Sequence, residues 1–161
     1  MDETFRDARA LAISHIGISQ KSSGRVRDYL SRKGIQEETA DSVVRSLISD
    51  GYIDDLRIAR NLIKSRSGRK AEGRRALEQR LYHAGISREV IAMTDEIMPQ
   101  DEISIQELFD AKLMPELIKL ISMESFDANV WMNKTFRFLL SRGYSTSLTM
   151  DTLRKGIRDV E

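Results

Sequence analysis

Apolar positions recur three and four residues apart along most of the chain, which is the spacing of one face of an α-helix. Phe5, Ala8, Leu11, Ala12 and Ile16 predict a first helix over Thr4–Ile18. Val26, Tyr29 and Leu30 predict a second, opened by Ser23. Ala40, Val43, Val44, Leu47 and Ile48 predict a third over Gln36–Ser49. Leu56, Ile58, Ala59, Leu62 and Ile63 place a fourth over Asp55–Ser67, with Asp54 as its cap. Leu77, Leu81 and Ala84 place a fifth over Ala71–Ala84, and Ser87 opens a sixth that runs to Met98. The stretch from Gln100 to Phe126 is less periodic. It predicts one or two helices within Glu107–Ile121, with Pro115 in a first turn. Met132, Phe136, Leu139 and Leu140 mark the next helix, and Leu148, Leu153 and Ile157 the last, opened by Ser145 or Thr146.

The helix stops repeat. LSRKGI, LYHAGI and LLSRGY share leucine, three residues, glycine and an apolar plug, at Leu30/Gly34/Ile35, Leu81/Gly85/Ile86 and Leu139/Gly143/Tyr144. Glycine ends a helix in the left-handed conformation without a Cβ penalty. The three glycines are 51 and 58 residues apart, and each pattern stands between a helix and a polar-capped helix. The expected fold is all-α: three tandem three-helix repeats over residues 1–53, 54–99 and 100–161, forming an elongated, curved, solenoid-like body.

Composition narrows the chemistry. With no cysteine among 161 residues, disulfides, thiolate catalysis and thiolate metal sites are excluded. His15 and His83 are the only histidines, and neither has a second ligand at metal spacing. No phosphate loop, dinucleotide-binding glycine motif or HExxH motif is present. The adjacent acids Asp54 and Asp55 read better as a helix start than as a metal pair, because they follow the Gly51 stop and precede an amphipathic helix. Trp131, Phe136, Phe138 and Tyr144 are candidate base-stacking platforms, weighed against core positions. No catalytic residue, metal or cofactor is expected. The N-terminus does not read as a signal peptide, and no apolar run approaches the ~18 residues of a membrane span. The expected location is the cytoplasm.

A net charge of +1 conceals an asymmetry. Arg57 to Arg80 holds nine bases against two acids, while Asp95 to Asp127 holds nine acids against two lysines. Either run is a solvated helix face or a contact for a charged partner. Arg57, Arg60 and Lys64 share an arc of about 60° away from the apolar face of their helix. Arg66, Arg69, Lys70, Arg74 and Arg75 cluster around the following join, and Arg137 and Arg142 lie in the last repeat. Guanidinium groups suit phosphates and carboxylates equally. These ten residues are the candidate binding set.

Three motifs resemble those of the RecX family of RecA regulators. GYIDDLRIA, from Gly51 to Ala59, is similar to the family's most recognisable signature. Gly73, Leu77, Leu81, Gly85 and Ile86 match its second motif, and FRFLLSRGY, from Phe136 to Tyr144, its third. The resemblance covers nearly the whole chain. It implies a non-enzymatic monomer that binds the groove of the RecA–DNA filament. Such a protein limits filament extension, ATP hydrolysis and strand exchange, in DNA repair, recombination and the SOS response. Its partners would be the filament and single- or double-stranded DNA, with no membrane. The alternative is a sequence-nonspecific DNA-binding protein that acts without RecA, although a pI near 8.0 is low for that role.

Overall fold

Every amphipathic segment is helical in the computed structural model, which describes residues 3–123 and 126–160. The helices are α1 (Glu3–Ile16), α2 (Ser23–Arg32), α3 (Glu37–Ser49), α4 (Asp55–Lys64), α5 (Arg74–His83) and α6 (Arg88–Ala92). They continue as α7 (Asp101–Leu108), α8 (Met114–Ile121), α9 (Ala128–Ser141) and α10 (Thr146–Arg158). A 3-10 turn spans Gly68–Lys70, and a π turn, Phe109–Leu113, joins α7 to α8. No strand occurs among the described residues. The fold is all-α, as the periodicity predicts.

The chain forms two compact units. One comprises the residues through Leu62 with Arg80–Glu96; the other comprises Ile63–Gln79 with the residues from Ile97 onward. The first core gathers Ala8, Ala12 and Ile16 from α1, Val26 and Leu30 from α2, and Val43, Val44 and Leu47 from α3. The second gathers Ile105, Leu108, Phe109, Leu113, Leu117, Trp131, Leu139, Tyr144 and Leu153.

The repeated stops share one geometry. Gly34, Gly85 and Gly143 have φ of 78°, 83° and 89°. After each, the plug residue donates its N–H to the leucine carbonyl: Ile35 to Leu30 and Ile86 to Leu81 at 3.1 Å, Tyr144 to Leu139 at 3.4 Å. This local closure of the last turn satisfies carbonyls that helix ends otherwise leave open. Leu30, Leu81 and Leu139 are all wholly buried. A fourth such end follows α3, where Gly51 has φ 79° and Tyr52 donates to Leu47 at 2.9 Å.

Several boundaries differ from the sequence reading. The cap of α2 is Ser22, whose Oγ accepts from the Arg25 N–H at 3.3 Å, and not Ser23. Ser23 instead turns to Asp55, donating its N–H at 2.8 Å and its hydroxyl at 2.5 Å. α4 stops at Lys64, and α5 begins only at Arg74, because Ala71, Glu72 and Gly73 run buried and non-helical between them. α6 ends at Ala92, well before Met98: wholly buried Thr94 folds back, its hydroxyl donating to the Ile91 carbonyl at 2.6 Å. α7 starts at Asp101, six residues ahead of the expected helix. Leu11, Ile48 and Leu140, expected inward, are more than one third exposed. Each lies at the margin of its apolar arc, which its neighbours do not reach.

Candidate partner-binding surface

Asp54 starts α4 as predicted, its Oδ1 accepting the Arg57 N–H at 2.9 Å. Ala59 and Ile63 then turn inward and are buried. Helical spacing therefore sends Arg57, Arg60 and Lys64 outward, and all three are exposed. Among the described residues, none of these three side chains has an ion-pair or hydrogen-bond partner. Arg57 and Arg60 belong to the first unit and Lys64 to the second.

The rest of the basic set divides by what each cation already does. Lys70, Arg75 and Arg137 are exposed, with no partner for the side chain among the described residues. Arg69 donates to the Ala111 carbonyl at 3.3 Å. Arg74 pairs with Glu78 at 2.8 Å, and its backbone N–H donates to Asp101 at 2.7 Å. Arg66 is half-buried. Arg142 is half-buried as well: it stands 3.8 Å from the carboxylate of buried Glu72, and its guanidinium lies 4.9 Å from the centre of the Phe138 ring. Arg66 and Arg142 are thus built into the second unit, while Arg57, Arg60, Lys64, Lys70, Arg75 and Arg137 remain available to a partner.

The aromatic set is not a row of platforms. Trp131 and Tyr144 are buried in the second core, with Phe136 and Phe138 packed partly against it. Burial pushes the Tyr144 phenol up to about 12, although the Ser104 hydroxyl, donating to it at 3.1 Å, pulls the other way. The exposed aromatics among the described residues are instead Tyr52, after the Gly51 stop, and, beside exposed His83 at the end of α5, Tyr82. Its position beside the Leu81 core residue was the available signal.

The adjacent acids take separate tasks. Asp54 caps α4, while Asp55 holds the buried start of α2 through Ser23. No cluster of three or more acids and histidines with metal-holding geometry occurs among the described residues. No described helix is long and apolar enough to cross a membrane. Glu124, counted in the acidic run, lies outside the described residues.

Together these features define an all-helical protein of repeated helix–stop–helix elements, whose accessible chemistry is unpaired cations on helical faces. Residues 54–94 match the second three-helix domain of RecX. The regulatory protein RecX of Prosthecochloris aestuarii is 29% identical over 153 residues, covering 94% of this chain and 95% of the relative. That of Streptococcus gordonii is 29% identical over 89% of this chain, but the match spans only 53% of the longer relative. The crystal structure of RecX from Lactobacillus salivarius shares the fold, with a TM-score of 0.72 over 96% of this chain and 97% of that one at 17% identity. The chain is thus similar to RecX proteins along nearly its whole length, and shares their fold.

Proposed function

We propose that this protein is a non-enzymatic modulator of the RecA recombinase, acting in the cytoplasm in DNA repair, recombination and the SOS response. It binds along the groove of the RecA–DNA filament and restrains filament extension, ATP hydrolysis and strand exchange. The observation that carries the reading is the unpaired row Arg57, Arg60 and Lys64, inside the stretch that matches a RecX domain. An ion pair already made within the chain would have to be broken before a partner could use it. These three cations carry no such cost. Their targets are filament carboxylates or DNA phosphates, both of which guanidinium groups bind by paired hydrogen bonds. The available Lys70, Arg75 and Arg137 extend the same chemistry.

Co-sedimentation with RecA filaments assembled on single-stranded DNA tests this reading, with naked DNA at equal nucleotide concentration as the control. The chain is expected to pellet with filaments and to lower their ATP hydrolysis. Equal pelleting with naked DNA, with ATP hydrolysis unchanged, would replace the proposal by the RecA-independent DNA-binding alternative.

A further inference from the structure

Helix α8 has an apolar arc that its own unit only half covers. Leu120, Leu117, Ile121, Met114 and Ile118 span about 160° of the helix by the ~100° step per residue. Leu117 is wholly buried and Met114 partly so. The last turn is different. Ile118 is 57% exposed, Ile121 41% and Leu120 36%, and Met123, just past the helix, is 49% exposed. Four large apolar side chains within six residues form a knob of a kind that folded monomers seldom leave in water.

The charges beside this knob are acidic. Glu116, exposed, borders the apolar arc next to Leu120 on the helical wheel. Asp127, the cap of α9, is exposed four residues past Met123, and no arginine occurs between Arg88 and Arg137. The lysine in the preceding turn is diverted, since the Lys112 ammonium lies 4.3 Å from the centre of the Phe138 ring. Lys119 is the one exposed cation on α8. An apolar centre with an acidic border is complementary to a helix with an apolar stripe flanked by lysine or arginine.

We infer that the last turn of α8, with Ile118, Leu120, Ile121 and Met123, is a docking site for a basic amphipathic helix of a partner protein. This goes beyond the RecA reading and does not depend on it: the cationic row on α4 has the opposite charge and takes the opposite kind of ligand.

The test uses the full chain and two labelled synthetic peptides of about eighteen residues, long enough to form an amphipathic helix on contact. Both carry leucine at helical spacing; one has lysine and the other glutamate at the remaining positions. Fluorescence anisotropy is expected to show the lysine peptide binding at least about tenfold more tightly than the glutamate peptide, with the preference shrinking as salt rises. The triple variant I118S/I121S/M123S should lose that binding while keeping the wild-type circular dichroism spectrum. Should the triple variant not fold, E116K supplies the second reading, since it keeps the knob and should abolish the preference for lysine. Equal binding of both peptides, no binding of either, or binding that survives in the folded triple variant would overturn the inference. So would concentration-dependent dimerisation of the wild type that the triple variant abolishes, because a second copy would then be the occupant. Filament co-sedimentation can fail without affecting any of these outcomes.

Discussion

Gly24 donates its backbone N–H to the carbonyl of Gly85 at 3.1 Å, bringing the start of α2 against the end of α5 within the first unit. Ser22 reinforces the joint, its hydroxyl donating to the Ala84 carbonyl at 2.6 Å. The second unit contains a similar joint, where the Gly73 N–H donates to the Arg142 carbonyl at 2.8 Å. A Cβ on Gly24 would stand 2.5 Å from the Gly85 oxygen, and one on Gly73 would stand 2.8 Å from the Gly143 oxygen. Both obstacles are backbone, which cannot step aside as a flexible side chain can.

Gly24→Ala is therefore expected to destabilise the protein by about 1–3 kcal/mol, the usual range for overpacking. Gly34→Ala provides the contrast. Gly34 has φ 78° but nothing within 4 Å of a Cβ, so only the left-handed conformation is penalised, at roughly 1–2 kcal/mol. Gly85→Ala meets both penalties and should cost more than Gly34→Ala. Urea unfolding of the three variants checks the order.

The two adjacent acids should separate in the same assay. Asp54→Ala removes a helix cap, worth about 0.5–2 kcal/mol. Asp55→Ala strands the N–H and hydroxyl of buried Ser23, at about 1–3 kcal/mol for each unsatisfied group. Asp55→Ala is expected to be the more damaging. Neither change should respond to added magnesium.

Reversing Arg57, Arg60 and Lys64 to glutamate should leave stability within about 0.5 kcal/mol, as is usual for exposed sites. Filament co-sedimentation should fall sharply, and the wild-type interaction should weaken with salt. A folded triple variant that still suppresses RecA ATP hydrolysis at wild-type concentrations would reduce the row to a solvated face. Arg137→Glu belongs with this group. Arg142→Glu does not: it removes the cation beside buried Glu72 and should lower the melting temperature, so a loss of binding in that variant would report on folding as well.

Alkaline pH provides a further check. The Tyr144 phenol titrates near 12 in the folded chain because burial disfavours the phenolate. An unfolded tyrosine titrates near 10. The unfolded chain thus gives up this proton first, and stability due to Tyr144 is complete below about pH 10 and declines as pH rises toward 12. Tyr144→Phe should flatten that decline in pH-dependent melting.

The helix stops were readable because glycine and the leucine four residues before it act within a single turn. Caps at Asp54, Ser87 and Ser145 were readable for the same reason: the bond they make lies three residues ahead. What escaped depended on distant partners. Ser22 and Ser23 are equivalent in local sequence, and the choice between them is made by Ala84 and Asp55, far along the chain. Thr94 ended α6 by burial, which periodicity does not register. In the basic set, exposure of Arg57, Arg60 and Lys64 followed from the helical wheel alone. The engagement of Arg142 with Glu72 joins residues seventy positions apart and left no local trace.

Helix α5 is divided between the two compact units, contributing Arg74–Gln79 to one and Arg80–His83 to the other. The recurring motif in the chain and the cohesive body in space therefore have different borders. Copying the stretch around Gly85 in evolution would have duplicated portions of two cores, not one whole core. By the same logic, excising residues 54–94, the stretch that matches a RecX domain, would take α4 and α5 away from both bodies at once. A fragment defined by homology would carry Ala71 out into water, without the α7, α9 and α10 side chains that complete its core.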